Sequence, residues 1–229
     1  MGGRPHPGSG ATAPLQPRRL HSLLAGCLKA ATWPIQALEG AVVLLPLGSL
    51  EDHPGGAPAS LDTLLALAAS CAAAEDTGWL LAPPLGYGLS PSHTAWVGPR
   101  SGRLLEEALV EAVAGLYRLG ARHVAIVDGH EGHRGVAERA AARSGASHHS
   151  LWSHLARAAG VDLLDWGRLY RLEEEIAARL REGLLHPAIA KAVEALRREI
   201  EEAAMGLGEV SARHGPRRGS AEVHRAHRV

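Results

Sequence analysis

Ala41-Val42-Val43-Leu44-Leu45-Pro46-Leu47-Gly48-Ser49-Leu50-Glu51-Asp52-His53 is the stretch on which the fold reading turns. Residues 41–47 are continuously apolar, without the alternation of a half-exposed strand, so they read as a strand covered on both faces, central in a parallel sheet. The run then gives way to glycine and polar residues. Ligand sites of such sheets lie beyond the carboxyl ends of the strands. Glu51 and His53, two apart on extended backbone, share one face there.

Working outward, the spacing predicts a first helix carrying Leu20, Leu23, Leu24, Cys27, Leu28 and Ala31 on one stripe, and a helix over Leu61–Ala74. Trp79-Leu80-Leu81-Ala82 reads as a second strand, and the Gly-, Pro- and Ser-rich residues 86–100 as a long loop of the kind that is usually functional. A helix is expected from Arg103 to Leu119, ended by Gly120. His123-Val124-Ala125-Ile126-Val127 is a third strand, leading into Asp128-Gly129-His130-Glu131-Gly132-His133 and a helix through Arg143. A fourth strand is read at Val161–Trp166, and residues 168–204 as mostly helical. Alternating strands and helices imply an α/β fold, a three-layer α/β/α sandwich with a mainly parallel central sheet. Residues 1–18 read as a flexible tail and 19–229 as one domain.

Composition narrows the function classes. Lys+Arg and Asp+Glu both number 24, so bulk charge does not suit nucleic acid or an anionic membrane. No apolar run reaches the roughly 20 residues of a membrane span. Cys27 and Cys71 make no disulfide framework and lack CxxC spacing, so a reducing cytoplasm is the default location. Leu23-Leu24-Ala25-Gly26-Cys27 has the form of a lipoprotein box, but the apolar stretch before it is too short and holds His21. No GxGxxG or GxxxxGK[ST] follows a strand, which removes the main support for nucleotide binding.

The polar residues after the three apolar strands make a coherent set: Glu51, His53 and Asp62; then His93; then Asp128, His130, Glu131 and His133. Mixed carboxylate and imidazole donors suit divalent metal, and two ions sharing Asp62 suit the set better than one. Water held between two such ions would ionise near neutral pH and attack a carbonyl. Each residue also has a bland reading. An Asp at a helix start is commonly an N-cap, and Glu131 at a helix amino end is favoured by the dipole alone. Of the 14 histidines, His6, His21, His148, His149, His154, His224 and His227 read as surface residues.

With these residues placed, the sequence resembles the creatininase (creatinine amidohydrolase) family. The resemblance rests on Leu45-Pro46-Leu47-Gly48-Ser49-Leu50-Glu51-Asp52-His53 with Pro58 and Asp62, on Pro83-Pro84-Leu85-Gly86-Tyr87-Gly88 with Ser92-His93, and on the turn at 128–133. It implies a binuclear centre of two divalent ions (Zn, Mn or Fe) that hydrolyses amide-type C–N bonds of a small molecule, and a homo-oligomer. On that pattern Glu51 and His130 hold one metal, His53 the other, and Asp62 bridges. A further carboxylate is expected from Gly206-Leu207-Gly208-Glu209-Val210-Ser211, with Glu222 and Glu131 as the other candidates.

The chain also departs from the family. The carboxylate that creatininase carries two residues after the turn histidine is Gly132 here, and the histidine opening the carboxy-terminal element is Ala204. His133, His93 and His214 are the substitutes for that missing group, and Glu131 is the remaining catalytic candidate. Loss of substrate contacts with retained metal ligands implies an amidohydrolase with another substrate, such as the formamide of a ribosylaminopyrimidine phosphate. The alternative is a non-catalytic or metal-binding scaffold that keeps the fold.

Overall fold

The structure, a computed structural model, describes residue 27, residues 30–75 and residues 77–213, with side chains as far as residue 206. The tail expected over 1–18 and most of the expected first helix lie outside the described residues. Four strands, β1 (Val42–Leu47), β2 (Leu80–Leu81), β3 (His123–Asp128) and β4 (Ser147–Ser150), form one sheet in the order β2-β1-β3-β4, every pairing parallel. The helices are α1 (Leu61–Ala74), α2 (Gly102–Arg118), α3 (Arg134–Ser144), α4 (Leu151–Ala159), α5 (Trp166–Arg181) and α6 (Pro187–Arg213).

Every residue of β1 and β3 is buried, as the unbroken apolar runs require. Alternate side chains feed two cores. Val42 and Leu44 of β1, with Ala125 and Val127 of β3, pack against Leu61 and Leu65 of α1, Leu155 of α4, Ile176 of α5 and Leu196 of α6. Val43, Leu45, Val124 and Ile126 face Leu105 and Leu109 of α2 and Ala137 and Ala140 of α3. The three-layer α/β/α arrangement is therefore built on the two strands that the sequence marks most clearly.

Pro46 sits in an inner strand, where the missing N–H is normally costly. The carbonyls of Leu44 and Pro46 accept from Ala82 and Leu85 on the β2 side, so the absent donor falls where β2 has already ended.

The fourth strand is not where the apolar residues of 161–166 place it. That segment is a turn followed by the start of α5: Asp162 Oδ1 accepts from the Leu164 N–H at 2.9 Å, and Asp165 caps α5 through the Arg168 N–H at 3.0 Å. The strand is instead Ser-His-His-Ser, a polar edge of which only His149 is buried and whose other side chains bond to His123, Asp128 and Glu131. As a consequence His149 and His154 are buried, at 6% and 4% exposure, and not the surface residues that composition suggests. Cys27 and Cys71, which spacing assigns to no disulfide framework, are bonded to each other, their Cα atoms 4.8 Å apart. No described helix is long and apolar enough to cross a membrane.

Gly129 carries a constraint that matters for the site. Its N–H donates to the Leu47 carbonyl at 2.8 Å, and a Cβ at this position would run into the Asp62 carbonyl. The end of β3 can thus lie directly on the first turn of α1 only because residue 129 has no side chain. Gly129→Ala is expected to cost about 1–3 kcal/mol in chemical denaturation, as overpacking at a rigid backbone contact does. A variant as stable as the parent would show that this contact has slack.

Candidate functional site

The carboxyl ends of β1 and β3 and the start of α1 bring Glu51, Asp62 and His130 together. Asp62 is in the first turn of α1 but makes no capping bond there, and it is 2% exposed. His130 follows β3, its N–H donating to Asp128 Oδ1 at 3.1 Å. One ring nitrogen, His130 Nδ1, lies 3.1 Å from Glu51 Oε1 and 2.9 Å from Asp62 Oδ2. The other, Nε2, is 3.4 Å from Ser90 Oγ, which also donates to Glu51 Oε2.

Burial works against charge on all three groups, and their mutual contacts decide where it resides. Burial acts to raise Glu51, yet His130, with Ser49 and Ser90, brings it down to about 2. Burial acts to lower His130, but Asp62 and then Glu51 carry it up to about 10. Asp62 itself is pushed up by burial, only partly opposed by His130. Without metal, a proton on His130 is the countercharge that lets two buried carboxylates stand side by side.

His53 and His93 complete the cluster. The loop at 86–100 is irregular, as its composition implies, and is pinned to the end of β1 by the Asp52 N–H to Ala95 carbonyl and Val97 N–H to Leu50 carbonyl bonds, both 2.8 Å. This brings His93 Nε2 to 2.9 Å from Glu51 Oε1, while its Nδ1 lies 2.8 Å from the Asp52 carbonyl. His53 Nδ1 is 2.7 Å from Glu173 Oε1, and its Nε2 is buried with no hydrogen-bond partner, as is Asp62 Oδ2 despite its closeness to His130. Ligand atoms of Glu51, His53 and Asp62 fall within 4.8 Å of one another, as do those of Glu51, His93 and His130. Donor atoms that converge but do not satisfy each other are what a metal-binding set requires. The residues present therefore fit divalent ions.

The remaining candidates fare differently. His133 is fully buried, its Nδ1 3.1 Å from Asp128 Oδ1 and its Nε2 accepting the Leu89 N–H at 2.9 Å. Both ring nitrogens are used within the fold, and the ring pins the loop from Leu89 onto the turn after β3. Glu131 lines the cleft but is held by Arg134 at 2.6 Å and by Ser150 Oγ at 2.9 Å. Glu209 falls within α6, its side chain beyond those described, and Glu222 and His214 lie outside the described residues. Ala204 is buried in the α6 core contact.

Glu173 is the site residue that the sequence did not disclose. It stands in Glu173-Glu174-Glu175, which reads as a solvated run. The available signal was its place on the apolar stripe of Leu169, Leu172, Ile176 and Ala177, where it is 8% exposed. A carboxylate on one imidazole nitrogen fixes the tautomer and orients the other nitrogen toward a ligand.

Residues 29–205 match the creatininase (creatinine amidohydrolase) family. The chain belongs to the creatininase family. Its fold is similar to that of creatininase Mn, with a TM-score of 0.55 at 18% identity over 79% of this chain and 94% of that one. A crystal structure of creatinine amidohydrolase gives 0.54 at 17% identity, covering 86% and 94%. Among characterised relatives, the mycofactocin precursor peptide peptidase of Mycobacterium ulcerans is 38% identical over 77 residues, 30% of this chain and 28% of that protein. The 3-dehydro-scyllo-inosose hydrolase of Thermotoga maritima is 32% identical over 93 residues, 39% of this chain and 30% of that protein. These matches therefore span less than a third of either relative's own length.

At position 132 a Cβ would collide with the His130 ring, so glycine is required by the present packing. The carboxylate that reaches His53 is Glu173, from α5. Glu173→Ala is expected to weaken metal binding about 10–100-fold, the usual cost of losing a histidine-orienting carboxylate. Glu173→Gln, which keeps an acceptor oxygen, should recover part of that affinity. Equilibrium dialysis with metal analysis checks both, and parental affinity in Glu173→Ala would remove Glu173 from the site.

Proposed function

We propose that this chain is a metal-dependent hydrolase that cleaves the C–N bond of a small, non-peptide amide. The observation that carries the reading is the pair of buried, unpartnered donors, His53 Nε2 and Asp62 Oδ2, converging with Glu51 on one cleft. Glu51, Asp62, His130 and His53 would hold two divalent ions, Zn, Mn or Fe, with Asp62 shared. Such ions, when bound, supply Lewis acidity toward a carbonyl and acidify water. Family membership and the names of the two relatives, a peptidase and a hydrolase, support hydrolysis as the reaction type.

The cleft itself, of about 750 Å³, narrows the substrate. One wall is the donor cluster; the other is Trp152, Leu163, Trp166, Leu169 and Tyr170 from α4, α5 and the turn before α5. Trp166 and Tyr170 are half-exposed, with ring centroids 6.2 Å apart. They offer an apolar surface for the ring or alkyl portion of an amide while its carbonyl faces the cluster. The described lining residues include Asp52, Glu131 and Glu173 but no Lys or Arg. The lining offers no guanidinium or ammonium to a phosphate, and its carboxylates offset part of the charge that the ions would bring, so a neutral or cationic amide fits better than a ribosylaminopyrimidine phosphate formamide.

His93 is the group placed to move a proton. Its Nδ1–H donates to the Asp52 carbonyl, which leaves Nε2 facing Glu51 and the cleft. A proton that Nε2 takes from the attacking water can pass from there to a departing amine. Glu173 holds His53 in one orientation, and Trp166 and Tyr170 hold the substrate against the cluster.

Full-length protein loaded in turn with Zn, Mn and Fe should hydrolyse members of a panel of neutral cyclic amides and simple formamides. Asp62→Asn should lose both metal and turnover. His93→Ala should lose rate, by about 100-fold or more, and its metal content, measured alongside, tells loss of a proton carrier from loss of a ligand. Metal-loaded protein inert toward the whole panel, with full metal content, would favour a metal-binding scaffold without turnover.

A further inference from the structure

Away from the cleft, β4 and the helices packed on it carry a second set of donor atoms. His149 is on β4, His154 on α4 and Glu199 on α6. One ligand atom from each lies within 4.8 Å of the other two. Glu199 Oε2 is 3.5 Å from His149 Nδ1 and 3.3 Å from His154 Nε2.

We propose that His149, His154 and Glu199 form a separate zinc site that ties the edge strand β4 to α4 and α6, with solvent as the fourth ligand.

The spacing is that of co-ligands. A charge-assisted imidazole–carboxylate hydrogen bond closes to about 2.7–2.9 Å, shorter than either contact here. Bonds of about 2.0–2.2 Å to a tetrahedral zinc ion instead set its nitrogen and oxygen ligands about 3.3–3.5 Å apart, the separation observed. His149 Nδ1 has no hydrogen-bond partner although the residue is 94% buried by its 6% exposure, and it faces Glu199. A buried, unpartnered nitrogen is a cost that a metal bond would remove.

The surroundings match a ligating role. His149 Nε2 is 2.9 Å from Ser147 Oγ, a hydroxyl able to accept its N–H, which would leave the Nδ1 lone pair for a metal. Burial pushes His149 down to about 4 and also lowers His154, which favours the neutral form that binds metal. Glu199 is 43% exposed in its side chain, which gives the site an opening for an ion and for a water ligand. Its other oxygen lies 3.7 Å from Arg157 Nη1, so one oxygen is left for the two imidazoles. Neither His149 nor His154 belongs to the cleft lining, and this site stands or falls independently of the hydrolase reading.

The test uses the full chain with Glu51→Gln and Asp62→Asn combined, which disables the cleft. After equilibrium dialysis against Zn2+, about one equivalent per chain should remain bound, with a rise in Tm over the metal-free form. Adding Glu199→Gln, a half-exposed isosteric change confirmed as folded by circular dichroism, should remove one equivalent whatever the cleft still holds. Ser147→Ala should weaken the affinity about tenfold or more. Co2+ in place of Zn2+ should give the intense visible absorption of a tetrahedral nitrogen and oxygen site, absent in Glu199→Gln. An unchanged zinc count on adding Glu199→Gln, or no zinc bound by the cleft-disabled chain, would overturn the site.

Discussion

Glu51 and Asp62 meet a single nitrogen of His130 in a space from which solvent is nearly excluded, and the architecture around them exists to hold that contact. Two carboxylates at 3% and 2% exposure repel each other and lose hydration. A protonated His130 offsets this in the metal-free chain, and divalent ions would offset it more fully. The arrangement needs β1 and β3 to be neighbours, α1 to begin directly behind them, and Gly129 to let the chain pass the Asp62 carbonyl without a side chain.

Supports extend outward from that contact in recognisable layers. Asp128 is fully buried and accepts from His133, His148 and the His130 N–H, so the turn after β3 is held from within the fold. Burial opposes its charge, but His133 and His148 keep its carboxyl below the ordinary range. His133 in turn receives the Leu89 N–H, coupling the turn to the loop that delivers Ser90 and His93. The cleft's apolar wall comes from a different part of the chain, the start of α5, which also brings Glu173 to His53. The polar half of the site is thus carried by the sheet and the apolar half by helices added beyond it.

Much of this was legible in the residues. Strands buried on both faces advertise themselves as unbroken apolar runs, and the polar residues that follow them mark the site end of the sheet. Glu51, His53, Asp62, His93 and His130 were all found that way, and the structure brings them together. What escaped was encoded without apolar contrast. β4 is Ser-His-His-Ser, held by hydrogen bonds, while Val161–Trp166 has strand-like apolar residues interrupted by two aspartates that make a turn and a helix cap. Glu173 was concealed by its acidic neighbours, although its place on an apolar helical stripe could have exposed it. His133 shows the converse: a histidine in the right motif whose ring serves packing and hydrogen bonding rather than the cleft.

The central claim is that the unpartnered donors at the strand ends form a metal centre. Anomalous diffraction at the Zn, Mn and Fe edges from crystals of metal-loaded full-length protein tests it most directly. The account predicts anomalous density among Glu51, Asp62 and His130, extending to His53 Nε2, with Glu173 still on His53 Nδ1. Crystals with no anomalous density there, and His130 Nδ1 still set between the Glu51 and Asp62 carboxylates, would contradict it.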